Sequence, residues 1–228
     1  MGEVEWSPHE LALWWTCEVM RDRLRHERWP DAVPASFARQ FHQEERIFQW
    51  GNYQRSWFGA AGDVSNHSSM FSMGGFGAAG VAVGGAPAGA APPNGSANGS
   101  PIRTSAAHHD VTEWRPIDQG LLYLSSHGYY LLPSTGVVLS FPLESMVQAD
   151  VGGPGVLLGT YSMANGSQEQ FSVASVWAEL LFVMWAHEHC PDHPRLTNLG
   201  FLPPEFVERV QASGNWTDSP LHELAQVR

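Results

Sequence analysis

Apolar residues recur at helical spacing near the start of this chain, alternate over short runs in its middle, and merge into one block near residue 180. Ser7-Pro8-His9-Glu10 is a capping box with proline at the first helical position, so a helix is predicted from there to about His26. Leu13, Cys17, Met20 and Leu24 form its apolar stripe, widened near the start by Leu11, Trp14 and Trp15. Trp29 to Pro34 breaks that helix, and Ala35 to Phe41 can form one further short turn. Glu45–Trp50 and Tyr53–Phe58 predict a bent strand, or a hairpin about Gly51-Asn52.

From Val111 onward the period changes. Leu121–Leu124, Tyr129–Leu132, Val137–Phe141, Ser145–Val147 and Val156–Leu158 are short branched or aromatic runs. Gly120, Gly128, Pro133-Ser134-Thr135-Gly136 and Gly152-Gly153-Pro154-Gly155 punctuate them at the spacing of an antiparallel meander. Gln170–Val173 leads into an apolar segment, Trp177–Trp185, too long for an ordinary strand. The expected fold is therefore α+β: a small antiparallel β-barrel or bent sheet, capped by a helix over Val173–His187, with an N-terminal helix added. Asn198 to Val210 suggests a turn and a short helix. Residues 212–228 are polar and expected to fray, although Leu221, Leu224 and Val227 would share one helical face.

Between these halves the composition shifts. Residues 59–107 are dominated by Gly, Ala, Ser, Asn and Pro, with no charge between Val64 and Ile102. Such a segment has too little to bury and is expected to be a disordered loop interrupting the sheet. It holds Gly75-Phe76-Gly77-Ala78-Ala79-Gly80, formally a GxGxxG. Neither a strand before it, a helix after it nor an acid at the right distance accompanies the motif, so it is not read as a dinucleotide site. The chain thus divides into an N-terminal helical extension, 1–43, an interrupted central domain, 44–188, and a C-terminal extension, 189–228.

Composition narrows the function. A formal net charge of −11 over 228 residues argues against nucleic acid. All twelve basic residues are arginine, which removes any Schiff-base or P-loop lysine. Cys17 and Cys190 match no metal or redox spacing, and the start of the chain lacks the pattern of a signal peptide. The run Val176–Ala186 contains Glu179 and is about half of the ~20 residues a membrane span needs, so the cytoplasm is the expected location.

Two clusters carry candidate chemistry. His187-Glu188-His189-Cys190-Pro191-Asp192-His193 is rich in metal-type ligands, and a loop using His189, Cys190 and His193 is the one zinc arrangement it offers. On a helix, however, His187 and His189 point to different sides, and the HExxH spacing is absent. His108-His109-Asp110 has no nucleophile beside it in sequence, no Gly-x-Ser-x-Gly elbow occurs, and Glu44-Glu45 is read as solvated. Arg21, Arg23, Arg25 and Arg28 crowd the end of the first helix, where they suit its dipole or could contact an acidic partner or lipid headgroups.

The segment Asp118 to Leu132, with Trp114-Arg115 just before it, resembles the hairpin of bacterial, actinobacterial-type GRAM-like and pleckstrin-homology-like domains. Ser140-Phe141-Pro142-Leu143-Glu144-Ser145-Met146 is similar to the turn that follows in that family, and the Val173–His187 helix to its capping helix. The resemblance covers roughly Glu44 to Glu188, with Ser125 where the family usually has threonine and His127-Gly128 in place of its arginine. It implies a non-catalytic module that binds partners by strand addition or in the groove between helix and sheet. No phosphoinositide site carries over, because the early basic residues are missing. The sequence-level expectation is a cytoplasmic binding or scaffold module for a protein or peptide, without cofactor or bound metal. The alternatives are recruitment to anionic lipid through Arg21, Arg23, Arg25 and Arg28, and a metal-dependent hydrolase built on His187, His189, Cys190 and His193.

Overall fold

The structure, a computed structural model, describes residues 5–26, 28–33, 45–59, 113–163, 166–214 and 216–226. The expectations for the Gly-rich segment, its GxGxxG, His108-His109-Asp110 and the turn after Pro34 fall outside the described residues.

The capping box forms as its spacing requires. Ser7 Oγ accepts from the Glu10 amide at 3.3 Å, and Glu10 Oε2 accepts from the Ser7 amide at 2.8 Å. They open helix α1, Pro8–His26. Seven strands follow among the described residues: β1 Ile47–Gly59, β2 Glu113–Ser125, β3 Gly128–Pro133, β4 Leu139–Pro142, β5 Met146–Gly153, β6 Val156–Ser162 and β7 Gln168–Ala174. The C-terminal part is helical: α2 Ala178–His189, α3 Pro194–Thr197, α4 Pro204–Ala212 and α5 Pro220–Gln226.

The strands form one antiparallel sheet in the order β4-β3-β2-β1-β7-β6-β5. Six interstrand spacings would separate β4 from β5 by about 29 Å in a flat sheet. Yet only the 3-10 turn Leu143–Ser145 joins them, a link that reaches at most about 14 Å from Pro142 to Met146. The sheet must curl, and it does: the rings of Phe141 on β4 and Tyr161 on β6 lie 5.2 Å apart. No ladder joins β4 to β5 among the described residues, so the sheet stays open and the barrel alternative is corrected to a curled open sheet.

One alternative is decided and three further expectations are revised. Of the two readings of 45–58 the single strand holds, because β1 runs through Gly51-Asn52 to Gly59 without a turn. Glycine is required there for another reason: a Cβ on Gly51 would stand 2.6 Å from Trp177 Nε1, which donates to the Trp50 carbonyl. The capping helix starts later than predicted, since Val173 pairs with Leu157 and Arg55 as part of β7. Residues 220–226 coil into α5 rather than fray, held by buried Leu221 and Leu224. Finally, Glu45 is buried, not solvated, and accepts a 2.6 Å hydrogen bond from Tyr130 Oη.

Helix α2 is apolar on every side and correspondingly buried from Ala178 to Ala186. The curled sheet covers it through β5 and β6, and α1 and α3 pack on its other sides. Trp15 meets Trp177 at 5.5 Å and Phe48 at 6.1 Å, while Phe182 lies 6.4 Å from Phe201. Residues of α1, the sheet and α2 to α5 belong to one continuous hydrophobic core.

Candidate functional site

Alternation along β1 sends Tyr53, Arg55 and Trp57 inward, so an arginine enters the curled sheet with two aromatic neighbours. Opposite Arg55 in register stands Asp118. The pair is two-pronged, Nε to Oδ1 at 3.2 Å and Nη2 to Oδ2 at 2.5 Å, with the Arg55 side chain 4% exposed. A register shift in β2 between Pro116 and Asp118 aims the carboxylate at the guanidinium, whose carbon lies 5.6 Å from the Phe141 ring centre.

Around this pair the sheet supplies Tyr129 from β3, Tyr161 from β6 and Phe171 from β7. Tyr161 stacks on Phe171 at 4.6 Å and Tyr129 on Phe141 at 5.0 Å. The hydroxyls of Tyr53, Tyr129 and Tyr161 are buried, that of Tyr53 beside Asp118 and those of Tyr129 and Tyr161 beside each other. Burial drives all three above the ordinary phenol range, and at Tyr53 the Asp118 charge adds to it, so none supplies a phenolate at neutral pH. The adjoining cavity, lined by Arg55, Trp57, Ile117, Phe141, Tyr161 and Phe171, holds about 10 Å³. That is room for one water and no substrate. This polar centre is a strut inside the sheet.

The outer face of the same β1–β2 ribbon is different. Trp50, Asn52, Gln54, Ser56 and Phe58 point outward and face, in register, Tyr123, Leu121, Gln119, Pro116 and Trp114. Trp50 is 52% exposed and Trp114 43%, and the Phe58 and Trp114 rings lie 5.2 Å apart. None of these ten side chains is charged, in a chain with a formal net charge of −11. Toward β3 the face grades into a small second cluster of Ile47, Tyr123 and Tyr130, with Leu121, Leu132 and Val138 packed against it and Val33, from the segment before β1, covering that end. Beyond Gly120, where β3 ends its pairing, the far half of β2 has β1 on one side and no strand on the other among the described residues.

The two end strands of the sheet, β5 and β4, are each limited as pairing edges. Trp185 Nε1 donates to the Met146 carbonyl at the start of β5, at 2.7 Å. Near its other end, Asp150 Oδ1 accepts from the Val151 amide at 2.8 Å and from Arg195 Nε at 2.9 Å. Edge strand β4 has only four residues and ends in Pro142. The space beside α2 is filled as well, because His193 packs edge-on against Phe182 at 5.0 Å.

The residues singled out by sequence are dispersed. Arg21 pairs with Asp22 at 3.1 Å and Arg28 with Asp31 at 3.9 Å. Arg23 lies over the Trp29 ring at 4.6 Å, and the Arg25 side chain is outside the described set. Arg21, Arg23 and Arg28 thus each meet a neighbour within the chain. His193 Nδ1 accepts from the Arg195 amide at 3.2 Å, His189 sits beside Trp185, and Cys190 caps α2. Burial lowers the pKa of His187, with Arg23 acting in the same sense. No three His, Cys, Asp or Glu side chains converge on a metal-sized site among the described residues. No described helix is long and apolar enough to cross a membrane.

No protein-family model, curated protein or solved structure matches this chain.

Proposed function

We propose that this chain is a non-catalytic binding module of the pleckstrin-homology/GRAM-like kind, and that it recognises a protein partner through the outer face of the β1–β2 ribbon. The strand order, with β1 central between β2 and β7 and a helix laid across the curled sheet after β7, supports the first part. The second part rests on one observation: an uncharged ribbon face with tryptophans exposed toward both ends. Aromatic side chains among neutral amides, with charge excluded, are the composition of an interface centre. Trp185 and Asp150 engage the β5 edge, β4 is short and ends in proline, and His193 packs beside α2, which disfavours strand addition at those two edges and use of the helix groove. The far half of β2 keeps an unpaired edge among the described residues, next to the proposed face.

Affinity capture from the native cell extract tests this, comparing the full chain with its Trp50→Ala/Trp114→Ala variant. Each tryptophan removed from such a centre weakens binding by roughly 2 kcal/mol, or about thirtyfold. A stoichiometric protein captured by the wild type and lost by the variant is the expected result. Equal capture by both would refute this surface, and no partner for either would sink the binding reading. Sedimentation with anionic vesicles that weakens with salt would instead favour the arginines of α1.

A further inference from the structure

The single acid in the apolar block, Glu179, is fully buried in the first turn of α2. Its Oε1 accepts from the Gly155 amide at 2.7 Å and faces His9 Nε2 at 3.0 Å. Its Oε2 has no hydrogen-bond partner among the described residues. Gly155 takes φ +70° in the β5–β6 turn, a conformation that suits glycine and presents its amide to the carboxylate. Three elements therefore meet on one carboxylate: the start of α1, the start of α2 and the β5–β6 turn.

The carboxylate meets one amide and one imidazole, and among the described residues no arginine pairs with it. The groups that bear on His9 are few. α2 contributes Glu179; α1 contributes Glu10, which is held by Arg209 of α4 at 2.7 Å; the turn contributes the uncharged Gly155. Among the described residues the counter-charge at hand for Glu179 is His9, whose side chain is 25% exposed and so within reach of solvent protons. Leaving a buried charge without its partner is costly, whereas the matched pair is tolerated.

We propose that seating of α1 on α2 is coupled to protonation of His9, which makes the N-terminal helix a pH-sensitive latch. The latch is closed while the imidazolium faces Glu179 and loosened once the ring is neutral. The interface it fastens is imperfectly filled, with a cavity of about 20 Å³ between α1 and α2 whose lining includes Met20, Leu180 and Met184 together with Arg23 and His187. The hydrogen bond to Glu179 raises the His9 pKa above 6.5, against the opposing effect of burial. A raised folded pKa contributes stability that is complete below the unfolded value and lost as pH rises through the folded value. The latch therefore opens on the alkaline side. His187, at the far end of the same interface, is shifted downward and changes charge on the acidic side, so the two transitions separate.

Hydrogen exchange of the full chain from pH 6 to 9, corrected for intrinsic rates, reads the latch directly. In the wild type the opening of α1 amides, relative to amides of the sheet, should rise by roughly tenfold or more, the worth of one charge-assisted hydrogen bond. His9→Gln keeps an N–H donor without the charge and should abolish the rise, as should Glu179→Gln. A flat wild-type profile, or the same rise in His9→Gln, would overturn the proposal. His9→Gln decides the matter even where Glu179→Gln does not fold.

Discussion

Arg55 and Asp118 give the sharpest test of how the sheet interior is held. Arg55 is almost fully enclosed and Asp118 is 16% exposed, so neither charge can be left to water if the other is removed. Arg55→Met keeps an unbranched apolar stem, shorter than arginine, and leaves the carboxylate with the Tyr53 hydroxyl as its buried neighbour. Asp118→Leu removes the acid and strands the guanidinium. Breaking one half of a buried pair costs about 3–5 kcal/mol, and the partial exposure of Asp118 places Arg55→Met near the lower end. Removing both together, as Arg55→Met/Asp118→Leu, leaves no orphaned charge and should stay within about 1 kcal/mol of the wild type. Urea unfolding followed by tryptophan fluorescence measures all three, and the cycle should return a coupling of at least about 2 kcal/mol. Additive single losses, or a double variant worse than either single one, would refute the claim that each charge is tolerated through the other.

The other expectations are independent of that pair. Gly51→Val should drive Trp177 from its place and break its bond to the Trp50 carbonyl, at about 1–3 kcal/mol, visible as a lower urea midpoint. Burial pushes the Cys17 thiol up to about 12, so a thiol reagent should label partly exposed Cys190 at once and Cys17 only as the chain unfolds. Equal labelling of both in the native state would show α1 to be seated more loosely than described. The loss of partner capture on Trp50→Ala/Trp114→Ala and the alkaline opening of α1 stand with these as the functional tests.

Elements specified by neighbouring residues were legible in the sequence. The α1 start follows from Ser7 and Glu10 three positions apart, and the β2–β3 turn from Ser125 to Gly128, where Ser125 Oγ accepts from the His127 and Gly128 amides. What depended on distant residues was not. Gly51-Asn52 has the chemistry of a turn, but the glycine is there to admit Trp177, which lies far along the chain. Glu45 looks like an exposed acid until Tyr130 is placed over it. Arg55 did carry a signal, because it shares the inward phase of Tyr53 and Trp57, but only the pairing register supplies Asp118. Glu179 was equally conspicuous as the one acid of an apolar run, yet nothing local connects it to His9. The uncharged ribbon face lies in the alternate positions of two strands, and its extent appears only when their register is known.

Strand order also sets the sequence of events by which this sheet can be completed. β2 to β4 and β5 to β7 are two hairpin chains that can each form from neighbouring segments, and the three-residue turn keeps them together. β1 is made first but has β7, the last strand, as its second neighbour. During synthesis its edge at Gln54 to Trp57 therefore stays open until Phe171 to Ala174 has emerged. Closure of so long a loop is slow compared with hairpin formation, and an unpaired edge is the part of a sheet most prone to join another chain. The interval between the making of β1 and the arrival of β7 is thus the period in which the nascent protein is most exposed to aggregation.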